Sequence, residues 1–289
     1  MTIVAKTNWR IDIVKLFDKL SITEYSPVVK KRGRRPKNSV EQILQKVNDG
    51  SIICLKLGTT IKGNEAKKKY KKTASGKTNK KVFGNCLILV MQVLGKFINV
   101  KVCSNGCFHI TGAKSIEHVV MFLKFFTESV ESIGDQKILQ VMDLKLNIKL
   151  ITVMTNINFN IGYLVDREKL NDYFKEKTDY NSYFIISGEY AGVIIQMPLG
   201  DNMPIYKVLY DSQTKDWSYV TESYEKYISD LDYKEVEKIN NKQRCNKLFV
   251  FANGSTILTS SHVSCMKSAY IKFMEIMREG RSKIEERIN

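Results

Sequence analysis

The chain has 289 residues, enough for one large core or two ordinary ones, and its 43% hydrophobic and 26% charged residues are those of a globular protein, which excludes a disordered chain. Its formal net charge is +16, and the excess is one-sided: residues 1–140 hold 26 Lys+Arg against 10 Asp+Glu, whereas residues 141–289 hold 20 of each. A basic first half beside a neutral second half fits an asymmetric grip on a polyanion; the plainer alternative is a Lys-rich chain with two solvated basic loops.

In chain order, TIVAKT (2–7) reads as a short strand, followed by an amphipathic helix near residues 11–20 with Ile11, Val14, Leu16, Phe17 and Leu20 at helical spacing. The run KKRGRRPK (30–37) then places six basic residues in eight, and after a further strand at SIICLKLG (51–58), residues 62–81 carry nine lysines against one acid, Glu65. Both runs have the character of solvated connections. Two apolar strands follow, CLILVMQV (86–93) and FINVKVC (97–103), then the turn Ser104-Asn105-Gly106, the strand CFHITG and a helix near 116–130. Asn-Gly between apolar-rich runs is a strong hairpin signal, because both residues tolerate positive φ.

The second half reads in the same order. A strand at LITVMTNINF (150–159) leads to a helix near 164–174 with Leu164, Leu170 and Phe174 on one side. Strands follow at YFIIS (183–187) and YAGVIIQM (190–197). A polar, Tyr-rich insert occupies about 198–244, and its stretch VTESYEKYISDLDYKEVEKI has a helical pattern. KLFVF, Ala-Asn-Gly, STILT and a helix near 264–278 close the chain. The two halves match at one offset of 148 residues: Thr7-Asn8 recurs as Thr155-Asn156, NGCFHITG (105–112) as NGSTILTS (253–260), and FLKF (122–125) as YIKF (270–273). Chance matches scatter over offsets, so the chain reads as two tandem copies of one α+β unit. These occupy 1–140, with basic loops near 30–37 and 62–81, and 141–289, with the insert near 198–244. A pseudo-two-fold molecule of this kind, a monomer with internal symmetry, suits a nearly two-fold partner such as duplex DNA.

The chemistry of a catalyst is not evident. SGKT (75–78) resembles the end of a phosphate-binding loop, but that motif needs glycine where the chain has Lys71. His109, His118 and His262 are the only histidines, and none neighbours an obvious nucleophile. The six cysteines include no Cys-x-x-Cys pair; Cys103 and Cys107 flank the hairpin turn near His109, but a fourth metal ligand is not apparent. The reading is therefore a binding protein without cofactor or metal. Cysteines set within apolar runs, no apolar run near the ~18 residues of a membrane span and no leader pattern suggest a reducing intracellular compartment. KKRGRRPK itself reads as a phosphate-binding arm, a nuclear-localisation patch, or a solvated loop with no partner; it also approaches the Arg-Gly-Arg-Pro core of minor-groove AT-hook peptides, but Arg35 interrupts that core between Arg34 and Pro36.

At the hairpins the sequence resembles the TATA-box-binding protein family. VKVCSNGCFHITGAKS, with Thr111-Gly112-Ala113-Lys114, is similar to the family's strand, turn, strand and Thr-Gly-Ala-Lys pattern. In the second half LFVFANGSTILTSSHV keeps Thr259 but has Ser260 and Ser261 in place of Gly-Ala. YAGVIIQM resembles the strand before the hairpin, and INFNI (157–161) the segment entering the second helix. FGNCLILVM (83–91) and the basic inserts look most like divergent versions from nucleocytoplasmic large DNA viruses. The resemblance implies a saddle with a curved antiparallel sheet, helices on its convex face, and a concave face on the minor groove of AT-rich promoter DNA. It also implies RNA polymerase or transcription factors as partners, in a host cytoplasmic viral factory or nucleus.

On that resemblance Phe251 is a wedge entering a base step and Tyr190 a second one, with Phe83 a candidate for the first half, where the hairpin position is Cys103. Strand alternation groups the faces: if Thr111 and Thr259 meet DNA, so do His109 and Ile257, and so do Lys101 and Cys103, Phe249 and Phe251. Lys30, Lys31, Arg32, Arg34 and Arg35 would hold phosphates. The family's central Asn pair falls near Thr2 and Leu150, residues that cannot make the same base contact. The rival readings are an interaction module that no longer binds DNA specifically, a face of Phe249 and Phe251 that is simply core, and an accessory domain of a nucleic-acid enzyme.

Overall fold

The structure is a computed structural model and describes residues 1–25, 47–63, 85–143, 145–185, 191–199, 203–240 and 244–286. The chain divides into two compact α+β units: an N unit of Ile3–Leu150 with Lys207–Val220, and a C unit of Met1–Thr2, Ile151–Tyr206 and Thr221–Asn289.

The N unit begins with β1 (Thr2–Thr7), β2 (Trp9–Ile11) and α1 (Ile13–Lys19), continues through β3 (Ile52–Leu57), β4 (Thr60–Gly63), β5 (Cys86–Val93), β6 (Lys96–Cys103) and β7 (Cys107–Thr111), and ends with α2 (Ile116–Glu131) and β8 (Leu139–Val141). Its main sheet has the order β1-β7-β6-β5-β3-β4, with antiparallel pairing along β7-β6-β5-β3-β4, while β2 and β8 form a separate antiparallel pair. Each helix start has a local cause. The Asp12 carboxylate accepts the Lys15 N–H at the head of α1, and Ser115 Oγ accepts that of His118 at the head of α2. One sheet face is almost wholly apolar: Leu87, Leu89, Val100, Val102, Phe108 and Ile110 are buried with Phe122 and Phe126 of α2. Trp9, Phe108, Phe122 and Phe126 pack with ring centroids 5.3–6.4 Å apart.

The C unit takes in most of β9 (Ile148–Asn160), then α3 (Arg167–Lys177), β10 (Asn181–Ile185) and β11 (Gly192–Pro198). A strand pair, β12 (Ile205–Tyr210) and β13 (Trp217–Glu222), follows; its outer part, Lys207–Val220, clusters with the N unit. The C unit resumes with α4 (Tyr224–Ser229), α5 (Tyr233–Asn240), β14 (Cys245–Val250), β15 (Ser255–Ser260), α6 (Val263–Glu279) and α7 (Arg281–Ile284). Its sheet has the order β10-β11-β14-β15-β9, antiparallel throughout. The core lies on one face, where Val193, Ile195, Leu248, Val250 and Leu258 meet Leu170 and Phe174 of α3 and Met266, Ala269, Phe273 and Met277 of α6.

Both hairpin turns are built alike. Gly106 and Gly254 have φ of +74° and +76°, and the Asn105 and Asn253 side-chain oxygens accept the N–H of Cys107 and Ser255. Several expectations shift. The second amphipathic helix starts at Arg167, because the Asp166 carboxylate caps it, leaving Leu164 outside and exposed. Val14 is on α1 but 56% exposed, so the apolar stripe there is narrower than its spacing implies. The helical stretch expected across 220–239 instead begins on β13 and then divides into α4 and α5, each with its own cap, Ser223 Oγ for α4 and Asp232 Oδ1 at the start of α5. The strands β12 and β13 stand where the sequence pattern showed only a polar insert.

Candidate nucleic-acid interface

Directly paired residues on antiparallel strands share a face. In the C unit this rule gives a row across five strands, Tyr183, Ile194, Phe249, Ile257 and Asn158, and a second row of Asn181, Gln196, Lys247, Thr259 and Asn156. Both rows are out of step with the core residues Val193, Leu248, Val250 and Leu258, so they lie on the face turned away from α3 and α6. Phe249, Phe251 and Ile257 are half-buried and take no part in the core cluster. Together with Ile185, Gly192, Ile194, Asn156 and Thr259 they line a depression of about 280 Å³. Phe251 sits at the end of this face. Its N–H bonds the Ser255 carbonyl, and its ring leans over Gly192, whose position for a Cβ lies 3.4 Å from Phe251 Cδ1 and 2.9 Å from the Val250 carbonyl oxygen. Glycine permits the close approach of the Val250 backbone; a Cβ here would only touch the ring.

The corresponding rows in the N unit are His109, Lys101, Ile88, Lys56 and Ile61, and Thr111, Asn99, Val90, Cys54 and Gly63. Residues equivalent at the 148-residue offset therefore occupy the same rows: Lys101 with Phe249, His109 with Ile257, Thr111 with Thr259. Their chemistry differs. Where the C unit has Phe249 and Ile257, the N unit has a lysine and an exposed histidine. The Phe251 position is Cys103, which pairs across the strands with Cys86 rather than covering a glycine. Burial pushes the Cys103 thiol up, neighbouring Cys107 and Cys86 add to that, and Lys101 opposes it; burial likewise raises Cys107, against Lys6. Both thiols stay protonated at neutral pH. Cys107 Sγ is 3.8 Å from His109 Nε2, and no group of three or more His, Cys, Asp or Glu that could hold a metal occurs among the described residues.

Of the residues singled out in the sequence, Phe249, Phe251, Ile257 and Thr259 come together on one face of the C unit, and Lys101 and Thr111 share a face of the N unit. Tyr190, Phe83, Lys30, Lys31, Arg32, Arg34 and Arg35 lie outside the described residues. Sequence reasoning missed Asn156, Asn158, Ile194 and Gly192. Asn156 and Asn158 are exposed, with side-chain amides that make no hydrogen bond among the described residues, whereas Asn160 is used locally, bonding the Asn253 carbonyl and the Gly162 N–H. The alternation Asn156-x-Asn158-x-Asn160 within a strong strand former was the available signal.

No family model matches the sequence. The chain is 25% identical over 224 residues to "Uncharacterized protein 335L" of Invertebrate iridescent virus 6; the match takes in 74% of this chain and spans 66% of that protein's length. Among solved structures, a Methanococcus jannaschii TBP is similar with a TM-score of 0.37 and 12% identity, over 66% of this chain and 80% of that one. No helix among the described residues is long and apolar enough to cross a membrane.

Proposed function

We propose that this protein is a double-stranded-DNA-binding transcription initiation factor of the TATA-box-binding type, virus-encoded, that contacts the minor groove of AT-rich promoter DNA and helps recruit RNA polymerase. In this reading the chain is two copies of one unit forming a pseudo-two-fold saddle. The observation that carries it is the apolar, half-open face of the C unit, where Phe249, Phe251, Ile257 and Ile194 lie away from the helices. The matching strand orders β1-β7-β6-β5-β3 and β9-β15-β14-β11-β10 and the equivalent hairpin registers support the repeat.

The chemistry is binding. A strand face presents side chains at about 7 Å intervals along each strand, and an aromatic ring at its edge can enter a base step and kink the duplex. Apolar floor residues favour A·T pairs for a physical reason: guanine projects its N2 amine into the minor groove, and burying that donor against Ile257 and Ile194 leaves it unsatisfied. The cationic N unit, with Lys101 and the basic run 30–37, would supply phosphate contacts that carry no base information. The test is a salt-titrated mobility shift on AT-rich and GC-rich duplexes of equal length. Tighter binding to the AT-rich duplex, with a steep salt slope, is expected; no binding to either at low salt would refute the reading. A second reading, a protein-interaction module, is favoured by Cys103, because a thiol beside Cys86 cannot prop open a base step.

A further inference from the structure

The N unit carries a second recessed surface, remote in chemistry from any phosphate site. It is a cleft of about 310 Å³ between the outer part of the β12–β13 hairpin and the β2, β8 and α2 side of the unit. Its walls are Trp9, Leu139, Val141, Leu146, Tyr210 and Trp217, and its other lining residues include Glu128, Glu131, Asp143 and Lys215. Tyr210 and Trp217 lie 5.0 Å apart, centroid to centroid, and the hairpin tip that carries them is shaped by Asp211, whose side chain accepts the Gln213 and Thr214 N–H groups. Glu128 and Glu131 are exposed, and Asp143 accepts a hydrogen bond from Asn8. Val141, Met142, Tyr210 and Tyr219 leave further apolar surface in solvent.

Three carboxylates against one lysine, on a chain of net charge +16, make this a place that a polyanion avoids and a cation enters. Aromatic faces beside carboxylates suit a guanidinium or ammonium on an apolar stem: the stem packs on the rings, the cation lies over Trp217 or Tyr210, and the acids neutralise it. The volume is at the small end of ligand sites, room for a side chain or two rather than a whole helix. We propose that this cleft docks an extended Arg- or Lys-bearing segment of a partner protein, independently of whether the C unit binds DNA.

Tryptophan fluorescence reports on the cleft directly, because the only two tryptophans of the chain, Trp9 and Trp217, both line it. The probe is a labelled twelve-residue peptide alternating arginine with leucine, with its glutamate-for-arginine counterpart as control, titrated into the full chain at low salt. Expected are saturable anisotropy for the arginine peptide alone, a change in tryptophan emission at saturation, and a loss of affinity of roughly fivefold to tenfold in Glu128→Gln/Glu131→Gln. Those two side chains are exposed, so that variant keeps its fold, checked by its melting temperature. Trp217→Leu, which keeps an apolar wall, should weaken binding and remove most of the emission change. Unchanged affinity in the double Gln variant, equal binding of the glutamate peptide, or unchanged emission at saturation would overturn the proposal. It would also be overturned if replacing the six basic residues of 30–37 by Gln tightened peptide binding, since the chain's own segment would then be the occupant. A dimer that dissociates in the double Gln variant would overturn it in favour of a second copy.

Discussion

Replacing Phe251 by alanine separates a DNA-contacting face from a buried one. Phe273, on α6, is fully buried in the C-unit core, and Phe273→Ala should lower stability by about 3–5 kcal/mol, as truncation of a core aromatic does. Phe251 is half-buried, with its ring over Gly192 on the sheet face turned away from α3 and α6. Less apolar area leaves the protein interior, and the described helices α3 and α6 pack on the opposite face and close no cavity over it, so Phe251→Ala should lower stability by only about 1–1.5 kcal/mol. Removing one aromatic–base stack is worth about 1–3 kcal/mol, or roughly a 5- to 150-fold weaker complex. The assay is paired: urea melts of both variants, and mobility shift with end-to-end fluorescence transfer on an AT-rich duplex. The expected result is near-native stability, weaker binding and a smaller bend for Phe251→Ala. A melt as damaged as that of Phe273→Ala, or unchanged affinity and bend with native stability, would refute the assignment of Phe251 to the interface.

Gly192→Ala should lower stability by about 1–3 kcal/mol in the same melts, because its Cβ would lie 2.9 Å from the Val250 carbonyl oxygen, a backbone atom that would have to shift. His262 caps α6 by accepting the Ser264 N–H on Nδ1, its Nε2 is 3.1 Å from the Tyr206 hydroxyl, and burial holds its pKa below the ordinary 6.5. Below pH 6.5 the unfolded chain takes up a proton that the folded ring resists, so stability should fall as pH drops from 6.5 through the folded pKa; His262→Asn, which keeps a cap acceptor, should lose that part of the slope in melts at pH 5 and 7.5. Replacing the six basic residues of 30–37, or the five lysines of 67–72, by Gln should weaken DNA binding equally for all sequences, with the salt slope falling by about 0.9 for each phosphate no longer neutralised; an unchanged slope in both variants would show that the runs are solvated loops.

Much of the fold was legible because it rests on short-range signals. Asn105-Gly106 and Asn253-Gly254 fixed two hairpins, and the two-residue period of a strand fixed which residues of the apolar runs CLILVMQV and KLFVF share a face. The insert was harder: Tyr224 to Asn240 has the composition of one helix, and only the Ser223 and Asp232 caps divide it into two. The strands β12 and β13 are marked by Trp217, Tyr219 and Val220, but their surroundings are polar, and a two-stranded ribbon has little period to betray it. At the site, Phe249 and Phe251 were readable as a pair two residues apart, yet alternation cannot say whether a face is core or open. That depends on where α3 and α6 pack, which is information spread over the whole unit. Gly192 shows the same limit: in sequence it is a weak point in a strand, and in space it is the seat of the Phe251 ring.

The difference between the two units sharpens the proposal into an asymmetry that can be measured. The hairpins agree in turn geometry, in register and in the Thr111 and Thr259 positions, so the scaffold that aims the side chains is shared. The side chains aimed are not: Phe249, Phe251 and Ile257 on one unit have Lys101, Cys103 and His109 as their equivalents on the other. A sulfhydryl beside Cys86 is too small to hold two base pairs apart, whereas an ammonium and an imidazole suit phosphate oxygens. The C unit should therefore unstack a base step while the N unit mainly anchors the backbone. Fluorescence transfer from labels placed at either side of the site should locate one dominant kink, beneath the C unit, and Phe251→Ala should remove it. Cys103→Phe is the complementary change: with Cys86→Gly, matching the glycine that lies under Phe251, it should introduce a second kink. Two equal kinks in the unmodified protein would contradict the division of labour, and would assign the missing wedge to an aromatic residue other than Cys103's own position, Phe83 being the candidate that the sequence offers.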